Sequence, residues 1–201
     1  KEIVRISCSD DHAVALARDG TVYSWGLAES GRLGLGEEFE LRDIANNSFE
    51  SGLVVQTPTR VKIPSNERVI YIEAGRYASL FITESQTLYT CGNGKYLHLG
   101  NGKKISNSWS PQPVCTEFFM PNEKVKEAHF AAFQLVVVST FGRLLCCGLE
   151  SFTHAPGRDN TKWNASLHPV DACSHLSLNA AASAALNIAV NVGQAPIVEL
   201  D

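Results

Sequence analysis

Short apolar runs with a period of two recur along the chain, each paired with a second run across a short turn of three or four residues. HAVALA (12–17) and TVYSW (21–25) flank Arg18-Asp19-Gly20, SLFIT (79–83) and TLYTC (87–91) flank Glu84-Ser85-Gln86, and QLVVV (134–138) and RLLCC (143–147) flank Phe141-Gly142. Alternation of this kind predicts half-buried β-strands, and Asp-Gly between two such runs predicts a tight hairpin, because glycine supplies the positive φ of the turn. Helical periodicity is weak everywhere except in the alanine-rich stretch 180–189. There, alignment with the earlier runs argues for strand against alanine's own preference for helix.

The pattern is a repeat. Setting Gly26 on Gly92, an offset of ~66 residues, aligns the first two stretches over about forty positions without a gap. RISCSDDHAVALARDGTVYSWG falls on YIEAGRYASLFITESQTLYTCG, and Leu33, Gly34 and Gly36 fall on Leu99, Gly100 and Gly102. A third copy follows at a further offset of ~56 and ends at Gly148; a fourth, at ~50 more, sets Ala180, Leu186 and Ile188 on Ala74, Leu80 and Ile82. The joints TPTRV, SPQPV and LHPV each carry proline. The expected units are 1–61, 62–114, 115–170 and 171–201, with an insertion at 37–56 in the first. Repeats of this length suit sheet-like blades better than short solenoid turns. Small residues at one phase, Cys8-Ser9, Ala74-Gly75 and Ala180-Ala181, suit inner strands crowded around an axis. Phe130-Ala131 breaks that rule in the third copy.

The stretch ISCSDDHAVALARDGTVYSWGLAESGRLGLG resembles the repeat of the regulator of chromosome condensation family. His12, Leu16, Asp19, Gly20, Val22, Tyr23, Trp25, Gly26, Gly31, Leu33, Gly34 and Gly36 carry the likeness, with Ser9 where that repeat has glycine. The second copy keeps Ala74, Gly75, Leu88, Tyr89, Gly92, Leu99 and Gly100 but has Ala78 for His and Cys91 for Trp. The resemblance implies an all-β fold: a partial β-propeller of about three to four blades of antiparallel four-stranded sheets, part of a seven-bladed ring. The chain begins at Lys1 rather than Met, so an excerpt is expected, its ring completed by further blades of the same protein or by another chain. His12 and Trp25 sit at repeat phases rather than beside chemical partners and are read as structural.

Composition narrows the function. Net charge is −4, and no basic block interrupts the chain, which disfavours nucleic acid. No apolar run is long enough to span a membrane. Six cysteines lie mostly in apolar stretches without C-x-x-C spacing, which predicts free thiols in a reducing compartment and no zinc site. No nucleophile elbow, zinc-protease motif or P-loop is present, so no catalytic residue, metal or cofactor is expected.

Two non-repeat stretches are the candidates for partner contact. EEFELRDIANNSFESGLVVQ follows Gly36 and offers Glu37, Glu38, Glu40 and Asp43 against Arg42, with Phe39 and Phe49 interleaved. Long loops on a propeller face are usual places for such contacts, and tolerated surface growth is the competing reading. LESFTHAPGRDNTKWNASLH supplies Arg158 and Trp163, where Trp163 could equally pack in the core. The expected function is a protein–protein interaction scaffold binding a protein partner through faces and loops. The alternative that the resemblance implies is guanine-nucleotide exchange on a Ran-type small GTPase. The expected location is intracellular, in cytoplasm or nucleus, with the cilium also hosting relatives of this fold.

Overall fold

The computed structural model describes residues 1–37, 54–102, 107–131, 133–149 and 163–169. They form three four-stranded antiparallel sheets in simple up-and-down order. The first holds β1 (Ile3–Cys8), β2 (His12–Ala17), β3 (Val22–Leu27) and β4 (Val54–Val61). The second holds β5 (Val69–Ala74), β6 (Ala78–Thr83), β7 (Leu88–Asn93) and β8 (Asn107–Pro113). The third holds β9 (Val125–Ala131), β10 (Gln134–Ser139), β11 (Leu144–Leu149) and β12 (Trp163–Pro169). The fold is all-β, a partial propeller whose blades are these sheets. β4 begins at Val54 and pairs Val54 with Leu27 and Val55 with Gly26, so residues 54–56 of the stretch read as insertion are strand. The fourth copy, 171–201, lies outside the described residues.

Proline marks the outer strands for a physical reason. Pro58, Pro111, Pro113 and Pro169 all lie on β4, β8 and β12, each last in its sheet. Only an edge strand has N–H positions that need no ladder partner, so only there is proline tolerated. The hairpin turns also hold one phase. Gly20, Gln86 and Gly142 all take positive φ, at 81°, 65° and 76°.

Blades stack through two apolar layers built from equivalent positions. Between the first and second, Val14, Leu16 and Val22 meet Ile72, Phe81 and Tyr89. Between the second and third, Leu80, Ile82 and Leu88 meet Ala128, Val137 and Leu145. Each blade thus turns even-numbered residues of its central strands to one neighbour and odd-numbered ones to the other, the period of two used on both faces. At the open side of the first blade, Ile6 is 57% exposed, whereas Ile72, at the same phase in the second, is fully buried. The difference is the presence of a preceding blade, not the residue.

Along the axis the innermost strands latch to one another. Ser7 Oγ accepts the Ala74 N–H at 2.9 Å, and Glu73 Oε1 accepts the Phe130 N–H at 2.7 Å. Phe130, the departure from small residues, has its room supplied by the neighbouring blade: a Cβ on Gly75 would lie 2.7 Å from Phe130 Cβ. The large residue in one copy is matched by the missing side chain in the copy before it.

Glu73 also holds His129, with Oε2 2.7 Å from Nδ1. That contact, together with the carboxylate charge, raises the His129 pKa against the opposing effect of burial. A raised histidine stabilises the fold fully below its unfolded pKa, near 6.5, and loses that contribution as pH rises through its folded pKa. The Glu73→Gln variant is therefore expected to be less stable than wild type at pH 6, with the gap narrowing towards pH 9. Urea midpoints at the two pH values check this, and a gap that is constant with pH would contradict the ion pair.

Candidate functional site: one face of the arc

Chain order separates the two faces of the arc. One carries the β2–β3, β6–β7 and β10–β11 turns. The other carries the turns 9–11 and 75–77, Ala131 and Phe133 at the β9–β10 junction, the segment 28–37 and the loop 94–102. Both non-repeat stretches leave from this second face, since they connect β3 to β4 and β11 to β12.

Its scaffold begins with the segment 28–37, which crosses from the first blade to the second. A 3-10 turn (Glu29–Gly31) starts it, and Gly31 sits against the backbone of Ser108 and Trp109 on β8, where a Cβ would come within 2.4 Å of the Ser108 carbonyl. Gly36 N–H then donates to Trp109 O at 2.9 Å. Leu33 is buried, and its carbonyl accepts from Ser24 Oγ at 2.7 Å. The glycines and leucines of this segment are thus the means by which one blade is fastened to the next.

His12 belongs to the same fastening. Its Nε2 lies 2.8 Å from Ser79 Oγ on the next blade, its Nδ1 lies 2.8 Å from Ser9 Oγ, and Ser79 Oγ donates to Arg32 O at 2.7 Å. Because the Ser79 proton is committed to that carbonyl, Nε2 carries the imidazole hydrogen and Nδ1 accepts from Ser9. Burial, reinforced by the Arg32 charge and opposed by Asp11, lowers the His12 pKa to about 4. A neutral, doubly bonded ring with no neighbouring nucleophile is a structural strut. Arg32, itself 3% exposed, is held by Asp11 at 2.8 Å and Glu29 at 3.1 Å. Cys91 and Cys147 take the phase that Trp25 holds in the first blade and pack as buried apolar residues. Their thiols point to the carbonyls of Arg32 and His98, and burial pushes the Cys91 thiol up to about 12.

Glu37 ends the segment, exposed. It borders an open groove of about 390 Å³ with Asn101, Asn107, Trp109 and Gln112. Of the sequence-predicted contact residues, Glu37 is the one that lines this groove among the described residues. Glu38, Phe39, Glu40, Arg42, Asp43, Phe49 and Arg158 lie outside the described residues. Trp163 opens β12 and pairs with Leu149 through the backbone.

A second feature of the same face is absent from the sequence expectations. Tyr77, Tyr96 and Phe133 form a ring cluster, with centroids 4.4 Å apart for Tyr96–Phe133, 5.9 Å for Tyr77–Phe133 and 6.4 Å for Tyr77–Tyr96. Arg76 and Lys95, both exposed, lie over Tyr77 and Tyr96 at 5.2 and 5.9 Å. An Asx turn shapes the loop, Asn93 Oδ1 accepting the Lys95 N–H at 2.9 Å, and Asn93 N–H donates to Tyr77 O at 2.9 Å. Beneath the cluster His98 is 1% exposed, its ring 5.7 Å from Phe130 and its Nδ1 buried without a partner among the described residues. Burial lowers its pKa to about 4. The signal that would have found this cluster is the aligned turn, where Asp10, Asp11, Glu29 and Ser30 of the first copy become Arg76, Tyr77, Lys95 and Tyr96.

Comparison with known proteins agrees with this geometry. A regulator of chromosome condensation (RCC1) repeat profile matches residues 19–82, and a second profile of the same repeat matches 3–32. The chain is 27% identical over 135 residues to the human probable E3 ubiquitin-protein ligase HERC6, covering 67% of this chain and 12% of that protein. It is 29% identical over 100 residues to guanine nucleotide exchange factor SRM1 of Saccharomyces cerevisiae, covering 50% and 19%. Among solved structures, Prp20p from Saccharomyces cerevisiae, described with its binding to Gsp1p and histones, superposes with a TM-score of 0.69 at 20% identity, over 94% of this chain and 48% of that one. Human WBSCR16 superposes with a TM-score of 0.61 at 18% identity, over 84% and 39%. The chain therefore spans a small part of the curated relatives it matches and under half of these solved propellers.

Proposed function

Residues 3–82 match regulator of chromosome condensation repeats, and from that premise we propose that the chain is a protein-interaction scaffold that holds a partner protein on the face carrying 28–37, 75–77, 94–102 and Phe133. The observation that carries this reading is the convergence on one face. Both stretches that depart from the repeat leave from it, and the residues that depart from it in the second blade, the exposed Arg76 and Lys95 and the half-buried Tyr77 and Tyr96, lie on it. The other conspicuous groups, His12, Arg32, Cys91 and Cys147, are absorbed by blade stacking. Such a scaffold acts by holding and needs no acid, base, metal or cofactor. The partner-contact residues are Glu37, Glu38, Phe39, Glu40, Arg42, Asp43 and Phe49 of the first stretch, with Arg158 and Trp163 of the second. The reading places the protein inside the cell, in cytoplasm or nucleus, with the ring completed by further blades of the same protein or another chain.

A second reading is guanine-nucleotide exchange on a Ran-type small GTPase, favoured by the similarity to SRM1 and by the fold shared with Prp20p, which binds Gsp1p. Exchange of this kind is catalysis by differential binding, in which the nucleotide-free GTPase is held best and no protein group transfers a proton.

One experiment separates the readings. Replacing 38–53 by a short Gly-Ser linker leaves β4 whole, so the variant is expected to keep its melting temperature while capturing less partner from lysate. Captures run with magnesium and with EDTA discriminate between the two modes. A small GTPase retained only in EDTA establishes exchange, whereas a partner retained equally in both supports the scaffold. Undiminished capture by the linker variant removes the 38–53 stretch from the binding surface.

A further inference from the structure

We propose that the cluster of Tyr77, Tyr96 and Phe133, flanked by Arg76 and Lys95, is a docking site for a short acidic peptide segment of a partner protein, which deepens the scaffold reading and rests on it. Three observations lead here.

The first is charge reversal at fixed positions. Asp10 and Arg76 occupy the same repeat phase, as do Glu29 and Lys95, so the acidic rim of the first blade becomes cationic in the second. Scaffold residues keep their type across copies because they serve the same packing. These lie outside the layers between blades: Arg76 and Lys95 are exposed, and no carboxylate among the described residues pairs with either.

The second is the replacement of an ion pair by rings. In the first blade Asp11 and Arg32 bind each other at 2.8 Å. Their counterparts are Tyr77 and His98, and the stacked cluster stands above a buried His98 that has an unmatched Nδ1. Rigid aromatic surface positioned by backbone hydrogen bonds gives contact area at low cost in conformational entropy. Leu97 reinforces the point, holding φ of 57° where the first copy has Gly31. A leucine kept in a left-handed conformation shapes the loop at the expense of some stability.

The third is the sign of the surroundings. Cations already lying over the rings disfavour a cationic ligand and favour carboxylates reaching Arg76 and Lys95 while apolar side chains cover the rings. Asp10 and Glu37 stand exposed on the same face of the first blade. They repel a long polyanion, which needs a continuous cationic track. A short acidic segment meets the positive end alone.

The test uses the full 201-residue chain and three probes carrying the same fluorophore: a twelve-residue peptide of alternating Glu and Asp around a central Phe and Leu, the same peptide with Lys for every acid, and a twelve-nucleotide poly-dT. The acidic peptide is expected to bind at least about tenfold more tightly than either of the others, with affinity falling as salt rises. Arg76→Gln with Lys95→Gln should lose about tenfold, and Tyr96→Ala a comparable amount, at unchanged circular dichroism. Because both charge substitutions are on exposed side chains, their folding is not at stake. Equal binding of the acidic and basic peptides, preference for poly-dT, or an acidic-peptide affinity untouched by the double variant overturns the site. The linker variant lacking 38–53 should bind the peptide undiminished, and loss there would move the site to that stretch. Should the double variant still capture the partner retained by wild type, the scaffold reading stands and this site falls.

Discussion

Gly92→Ala is expected to destabilise the fold by about 3 kcal/mol or more, a fall in melting temperature of roughly 6–12 °C for a chain of this size. Two costs combine. Gly92 has φ of 124°, a conformation that side chains rarely adopt. In addition, a Cβ would lie 2.4 Å from the Tyr77 carbonyl oxygen and 2.5 Å from Ala78 Cα. Those atoms are the backbone of Ala78, which pairs with Gly92 at the start of β6, and of the residue before it, and they cannot move aside without disturbing the β6–β7 ladder. Gly142→Ala separates the two costs, because Gly142 has φ of 76° and nothing within 4 Å of its ideal Cβ. It should lose only about 1 kcal/mol, the left-handed penalty alone. Equal losses for the two variants, read from denaturant midpoints, would refute the close approach. Gly26 and Gly148 repeat the geometry of Gly92, at φ of 108° and 102° with the carbonyls of Asp11 and Phe133 against them, so the result should transfer to both.

Acid should weaken the fold well before the carboxylates protonate. His12 and His98 are buried, and burial lowers each to about 4 from an ordinary 6.5. Between those values the unfolded chain binds protons that the folded chain refuses, so stability falls as pH drops from 6.5 towards 4 and is unaffected by these groups above that window. Each histidine is expected to cost about 2 kcal/mol at pH 5 and about 3 at pH 4. His98→Phe should flatten this slope by one histidine's share and, by removing a buried Nδ1 without a partner, should cost little at pH 7. His12→Phe should also flatten the slope but lose stability at pH 7, since Ser9 and Ser79 lose their partner. Urea titrations of the three proteins at pH 7, 5.5 and 4.5 decide it. A wild-type curve level from pH 7 to 4.5 would mean that both rings charge freely in the fold. The His129–Glu73 pair acts in a different window: its contribution is fully present below about 6.5 and is lost only as pH rises above that value, so it leaves the slope between 6.5 and 4 unchanged.

Much of the architecture was legible because one set of physical demands is repeated. The hairpins at Gly20 and Gly142, the apolar alternation of β2, β6 and β10, and the apolar character of Cys91 and Cys147 follow from local patterns that any copy shows. Even His12 could be read as structural, from its phase alone. The face that gathers the departures was harder to see, for Tyr77, Tyr96 and Phe133 are scattered over 57 positions and meet only when two blades stack. Phe130 illustrates the same limit. Its own copy gives no reason for a large residue at the axis, because the reason is Gly75 in the blade before it.

By itself, then, the sequence determined the class of fold, the blade as its unit and the phase of each glycine and leucine, since strand alternation and turn geometry act over a few neighbouring residues. The tertiary structure alone decided which faces are buried, how Ile6 and Ile72 come to opposite exposures, which histidines are held neutral, and that an acidic rim gives way to a cationic, aromatic one. These depend on what the next blade presents, and desolvation and side-chain contact are properties of the stacked pair rather than of either copy.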